Sequence, residues 1–261
     1  MKKYFKIARK AAFASGKILM NYFGKKMQLS FKSSEIDFAT QADIASEKKI
    51  KSIILNAFPE HSILAEESGQ TKNNSKFLWL IDPLDGTTNF YHSFPFFAVS
   101  IALLKKRKPL LGIVFVPYLK EFFYAIKGKG AFLNNKRIHV SSNADLKKFF
   151  VSTGFAYDRQ KYFDLNLKNF SFFYKNAHAV RRAGAAAIDL SYVACGRFDA
   201  HFEFFLKPWD VAAALLLIKE AHGKITNEKG KPYDLFKDKF ILASNNKKHE
   251  ELLKLLKTSL R

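Results

Sequence analysis

Asp82-Pro83-Leu84-Asp85 sets two carboxylates three positions apart around a proline. Proline fixes its own φ and lacks an N–H, so a turn through it splays both carboxylates outward and leaves the Leu84 carbonyl unpaired. Two carboxylates and a carbonyl are hard oxygen ligands, the set that Mg²⁺ or Ca²⁺ takes. Gly86 lets backbone approach a ligand closely, and Thr87, Thr88 and Asn89 are residue types that cap a helix start, where N–H groups collect anions. Phe77 to Ile81 is an unbroken apolar run with an aromatic centre, a buried strand delivering the chain to a sheet edge. A lone Asp-x-x-Asp is usually a plain turn. Here the turn joins a strand lead-in, an anion site and further acidic residues at strand and helix ends.

Those further residues each have an ordinary reading. Glu66-Glu67 follows the apolar Ser62-Ile63-Leu64-Ala65 and, taken alone, is a solvated turn. Thr40-Gln41-Ala42-Asp43 is a capping-box-like start for a helix running to Phe58 and stopped by Pro59, so Asp43 by itself caps that helix. Asp210, opening a helix through Ala221, is ordinarily an N-cap. Glu203 stands among aromatics on a strand from Arg197 to Phe205, where a charge sits at an edge or holds something. Gly184 precedes an alanine-rich helix from Ala185 to Ala194, and the N–H groups there, at Gly184, Ala185 and Ala186, suit a hydroxyl or phosphate.

Trp79 to Phe90 resembles the metal-binding signature of the inositol monophosphatase family, within the Mg²⁺-dependent, lithium-sensitive phosphatases. Trp209-Asp210-Val211-Ala212-Ala213 resembles that family's second signature, and the likeness covers nearly the entire chain. The resemblance implies an α/β (α+β) fold, a layered αβαβα sandwich of the inositol monophosphatase and fructose-1,6-bisphosphatase type. It implies a metal set of Glu66, Asp82, Leu84, Asp85 and Asp210 holding two or three Mg²⁺, with Mn²⁺ as a substitute. Glu67 would stand near the attacking water, with Thr87, supported by Asp43, accepting its proton and Glu66 completing the catalytic set. Gly86, Thr87, Thr88, Gly184, Ala185, Ala186, Glu203 and Asp210 would meet the substrate, Glu203 through a hydroxyl. The activity implied is release of phosphate from myo-inositol 1-phosphate by a homodimer. Fructose 1,6-bisphosphate and 3′-phosphoadenosine 5′-phosphate are rival substrates, and an RNA-associated regulatory protein on the same fold is the rival outside enzymes. Ala185, Ala214 and His222 depart from the family pattern; no metal ligand is lost.

The rest of the chain must position these groups. Its 261 residues bury a large core, and 48% hydrophobic residues with 28 phenylalanines exclude disorder as the main state. No apolar run approaches the roughly eighteen residues of a membrane span. Lys6, Arg9 and Lys10 interrupt any signal-peptide core, which makes a cytoplasmic protein the expectation. Cys195, the single cysteine, falls in an apolar helical pattern and reads as an inert thiol. The net charge of +21 draws phosphorylated metabolites or polyanions, yet the basic residues are spread and form no nucleic-acid module. Helices are expected from Tyr4 to Phe23 and from Lys247 to Leu260, with a run of antiparallel strands between Phe96 and Val140 turning at Asn134-Asn135. A change of pattern near Ser141 to Lys147 divides the chain into halves, 1–142 and 143–261, the first carrying most of the metal ligands.

Overall fold

In the computed structural model, residues 1–34, 37–71, 73–155 and 159–256 are described. The helices are α1 (Lys2–Tyr22), α2 (Gln41–Ala57), α3 (Thr87–Tyr91), α4 (Arg159–Asn176), α5 (Ala186–Ala194), α6 (Pro208–Glu220) and α7 (His249–Leu255). A hairpin of β1 (Leu29–Ser34) and β2 (Asp37–Thr40) leads into α2. One sheet is built from β3 (Ser62–Ala65), β4 (Gly69–Thr71), β5 (Phe77–Asp85), β6 (Ala98–Lys105), β7 (Lys108–Val116), β8 (Glu121–Ile126), β9 (Gly130–Leu133) and β10 (Lys136–Ile138), in the order β10-β9-β8-β7-β6-β5-β3-β4. A second holds β11 (Phe150–Thr153), β12 (Ala179–Arg181), β13 (Ala200–Phe204), β14 (Lys224–Thr226) and β15 (Phe240–Ser244), ordered β12-β11-β13-β15-β14.

Side-chain alternation turns these sheets into layers. Along β5, Trp79 and Ile81 face a core shared with α1 and α2, while Leu80 faces one shared with α5 and α6. Phe150, Ile241 and Ala243 of the second sheet meet that same α5–α6 layer from the other side. Val151, Phe202 and Leu242 point away, onto Leu165 and Phe173 of α4 and Leu252 of α7. The stack is therefore helix, sheet, helix, sheet, helix, a mixed α/β sandwich. Sheets buried on both faces explain why β5 to β7 are continuously apolar. The inner helices lie close: a Cβ at Gly112 of β7 would overlap the backbone of Ala213 in α6. Asn134 and Asn135 make the expected two-residue turn, both with positive φ.

Three local expectations change. β5 is not at a sheet edge but lies between β6 and β3, and its pairing continues past Asp82, through a bulge, to Asp85↔Ala98. Gly86, in the left-handed region at φ 89, caps α3, and the side chains of Thr87, Thr88 and Asn89 do not. Asp210 is the third residue of its helix rather than the N-cap, which is Lys207. The closing helix is seen over His249–Leu255, starting two residues later than expected and with Leu256 outside it; residues 257–260 of its expected span lie outside the described residues.

Candidate active site

The sandwich brings acidic residues from distant parts of the chain to the ends of β3 and β5. These strands are parallel, Ala65 beside Ile81, and the Glu66 N–H donates to the Ile81 carbonyl at 3.1 Å, which sets Glu66 at the flank of Asp82. Across the antiparallel pairing, Asp82 faces Ser100 of β6, and Ser100 Oγ donates to the Trp209 carbonyl at 3.0 Å. That bond holds the start of α6, and so Asp210, against the same strand ends. From the third side the Ala187 N–H of α5 donates to Asp85 Oδ2 at 2.7 Å. Because one α5 amide is spent on Asp85, the lead-in at Gly184, Ala185 and Ala186 is fastened to the acidic strand.

The bulge has a definite shape. Asp82 Oδ1 accepts the Leu84 N–H at 3.0 Å, and Ser46 of α2 donates to the Pro83 carbonyl at 2.9 Å. The Leu84 carbonyl is not unpaired: it accepts from Thr87 Oγ1 at 3.0 Å, keeping its second lone pair for another partner. Gly86 is required by its φ and by space, since a Cβ there would stand 2.9 Å from the Phe96 carbonyl and 3.2 Å from Ala185 Cβ. Asn89 bridges the two sides, its Nδ2 lying 2.8 Å from the Phe96 carbonyl and 2.9 Å from that of Ala183.

Asp43 divides its work between two oxygens. Oδ2 accepts from the Thr40 N–H at 2.8 Å and the Thr40 hydroxyl at 2.6 Å, closing a capping box on α2. Oδ1 accepts from Thr87 Oγ1 at 3.0 Å. One turn on, buried Glu47 accepts the N–H groups of Glu67 and Ser68 at 2.8 and 3.1 Å, fixing the loop after Glu66. Glu47 escaped the sequence reading. Its signal was present: a second carboxylate at i+4 from Asp43, on the face α2 buries.

Electrostatically the site wants positive charge. Burial raises the Asp82 carboxyl well above the ordinary range, and Glu66, Asp85 and Asp210 add to the rise. Burial also lifts Asp85 to about 7, opposed by the Ala187 N–H and reinforced by Glu203 and Glu66. Asp210 is raised by burial, then by Glu66 and Asp85, and Asp43 to about 6 by burial against its Thr40 bonds. The direct partners of these four carboxylates among the described residues are backbone N–H groups and threonine hydroxyls, none of them a cation. Among the described residues, no three such side chains close into a finished metal cage. The donors are all hard oxygens sharing one field, which suits a hard divalent ion and no soft one. Glu203 of β13 belongs to this field, acting on Asp85 and Asp210. Thr88 is exposed.

The fold and these carboxylates define a layered α/β sandwich with an acidic site suited to hard divalent ions. The inositol monophosphatase family model matches residues 1–261, and the chain belongs to that family. It is 43% identical over 257 residues to an inositol-1-monophosphatase of Synechocystis sp., covering 98% of this chain and 89% of that one. A fructose-1,6-bisphosphatase/inositol-1-monophosphatase of Aquifex aeolicus is 40% identical, with 98% and 96% covered. A Nus factor SuhB of Xylella fastidiosa is 40% identical over 85% of this chain and 80% of its own. Among solved structures, the inositol monophosphatase from Anabaena (Nostoc) superposes with a TM-score of 0.87 at 41% identity, covering 98% and 95%. An IMPase/NADP phosphatase complexed with Mg²⁺ and phosphate gives 0.79 at 29% identity, covering 93% and 89%.

Proposed function

We propose that this chain is a Mg²⁺-dependent phosphate monoester hydrolase, acting on inositol 1-phosphate to release myo-inositol and phosphate. The observation that carries this reading is the convergence of Asp82, Asp85 and Asp210, each raising or sharing in the raised field of the others, with no cation among their direct partners in the described residues. Glu66, Asp82, the Leu84 carbonyl, Asp85 and Asp210 are the residues that would hold the ions. Bound Mg²⁺ supplies Lewis-acid polarisation of the ester and lowers the pKa of water. Thr87 Oγ1 accepts a proton from the attacking water while passing its own to Asp43 Oδ1, a transfer for which the 3.0 Å bond is in place. N–H groups at Gly86 to Thr88 bind phosphoryl oxygens, Gly184 to Ala186 face the polyol, and Glu203 takes one of its hydroxyls. Lithium sensitivity and a homodimer belong to the same reading.

A panel of phosphate esters assayed with Mg²⁺, with and without Li⁺, tests it. Asp85→Asn should abolish turnover with the fold intact, and near-normal turnover by that variant would overturn the assignment. The fructose-1,6-bisphosphatase relative keeps fructose 1,6-bisphosphate in the panel. The Nus factor relatives and the charge of +21 favour a second reading, an RNA-associated role, for which Asp85→Asn retaining salt-sensitive RNA binding is the check.

A further inference from the structure

His201 and Glu203 lie on the inner face of β13, two residues apart and therefore side by side. His201 is 0% exposed, in a layer filled mostly by the apolar side chains of α5 and α6, together with buried Asp189 of α5, which lies near enough to Glu203 for the two charges to act on each other. β11 runs parallel to β13 with Ser152 directly opposite His201, and Ser152 Oγ stands 2.9 Å from His201 Nδ1. The other ring nitrogen, Nε2, is 3.2 Å from Glu203 Oε2, yet it is one of three buried side-chain polar atoms among the described residues that meet no hydrogen-bond partner. A buried imidazole nitrogen aimed at a carboxylate, but not bonded to it, calls for an explanation.

The tautomer follows from the surroundings. If Nδ1 carried the proton toward Ser152, Nε2 would present a lone pair to a carboxylate oxygen in a buried site, which is repulsive. With Ser152 donating to Nδ1, the proton sits on Nε2 and faces Glu203. A small turn of the carboxylate then closes the bond. Glu203 has little other freedom, because a Cβ at Gly154 would overlap its carboxylate, so backbone bounds it on one side and the imidazole on another. Its side chain is 12% exposed, and its charge reaches Asp85 of the acidic site.

We propose that His201, seated by Ser152, is a positioning residue for Glu203. When a substrate hydroxyl engages Oε1, Nε2–H bonds Oε2 and fixes the plane of the carboxylate that recognises the polyol. The inference rests on the phosphatase reading and extends it, since neither His201 nor Ser152 is needed for the metal or phosphate contacts. A residue acting only through Glu203 should affect binding of the hydroxylated substrate more than turnover, and should lose its effect when Glu203 is gone.

The test uses the full chain with Mg²⁺ and inositol 1-phosphate, measuring KM, kcat and the thermal midpoint for His201→Phe, His201→Gln, Glu203→Ala and the double variant His201→Phe/Glu203→Ala. His201→Phe is expected to raise KM about tenfold with kcat changed less than about threefold, as for a lost ground-state contact. His201→Gln, whose amide nitrogen reaches the Nε2 position, should return KM to within about threefold of the parent. In the Glu203→Ala background, His201→Phe should change KM by less than about twofold. Should His201→Phe fold poorly, Ser152→Ala, which removes the donor to Nδ1, should raise KM roughly two- to fivefold. Equal KM for parent and His201 variants, or a rise that persists without Glu203, overturns the positioning role alone. A parent protein that releases no phosphate overturns the phosphatase reading and this inference with it.

Discussion

Thr87 Oγ1 lies 3.0 Å from both Asp43 Oδ1 and the Leu84 carbonyl, and a hydroxyl has a single proton to give. When that proton goes to Asp43, the oxygen's lone pairs are free to receive one from water; when it goes to Leu84, Asp43 Oδ1 loses this donor while Oδ2 keeps its Thr40 bonds. Thr87→Ala should therefore lower kcat by about 10²- to 10⁴-fold with KM moved far less, read in steady-state phosphate release. The capping box survives that change, because Thr40 and not Thr87 closes it. On sequence, the cap and the catalytic support were rival readings of Asp43; the carboxylate's two oxygens let it close the cap through Oδ2 and bond Thr87 through Oδ1. A second residue carries strain that no pattern announced. Phe205, just past Glu203, takes φ 62, with its ring 4.4 Å from that of Tyr162 and Lys239 over its face at 5.8 Å. Left-handed backbone costs a non-glycine residue roughly 1–2 kcal/mol, so the packed ring must offset it. Phe205→Gly should then be more stable than Phe205→Ala by about 1 kcal/mol in urea unfolding, the reverse of the usual order, with both below the parent.

At the scale of elements, α7 packs through Leu252 and is anchored at its start by His249. His249 opens the helix, 1% exposed, with Nδ1 at 2.8 Å from Ser244 Oγ on β15 and Nε2 at 2.8 Å from Thr226 Oγ1 on β14. Burial, then the nearby Lys224, lowers its pKa from 6.5 to about 4, while Glu250 opposes the shift. The unfolded chain binds this proton from 6.5 downward and the folded chain only near 4, so the contribution is complete above pH 6.5 and is lost as pH falls toward 4. Between pH 7 and pH 4 this one group should remove about 3 kcal/mol, and His249→Gln should flatten the pH dependence by that amount in unfolding titrations. The helices and strands themselves were largely legible: α1, α2, α5, α6 and the antiparallel run from β6 to β10 follow from apolar period and turn residues. What escaped was continuity across Pro83. A proline after Asp82 argues for ending the strand, but the bulge lets β5 resume pairing at Asp85. Likewise the threonines after Gly86 suggested caps, whereas a glycine in the left-handed region takes the position itself. Contacts between a strand and a helix distant in the chain, such as Ser100 with Trp209, leave no trace in local spacing.

At the scale of the whole molecule, a charge of +21 surrounds a site whose own groups are acidic. Each sign has its part. Under the phosphatase reading the carboxylates would hold cations at the strand ends, while the basic surface would set the long-range field that a phosphate dianion meets first. A field of that origin raises encounter rates and is screened beyond a Debye length of about 10 Å at 0.1 M salt, whereas short-range contacts inside the site are not. If encounter contributes to the rate, kcat/KM for a phosphate ester should fall several-fold, on the order of threefold or more, between about 20 mM and 200 mM KCl at fixed Mg²⁺, with kcat nearly constant. A neutral salt of larger ions at equal ionic strength should give the same curve, because screening depends on ionic strength and not on ion identity. Loss of kcat in step with kcat/KM would instead indicate that salt reaches the metal or the acidic side chains. A flat profile would assign the basic excess to a macromolecular partner such as the RNA of the second reading, for which retention falling steeply with salt is the matching signature.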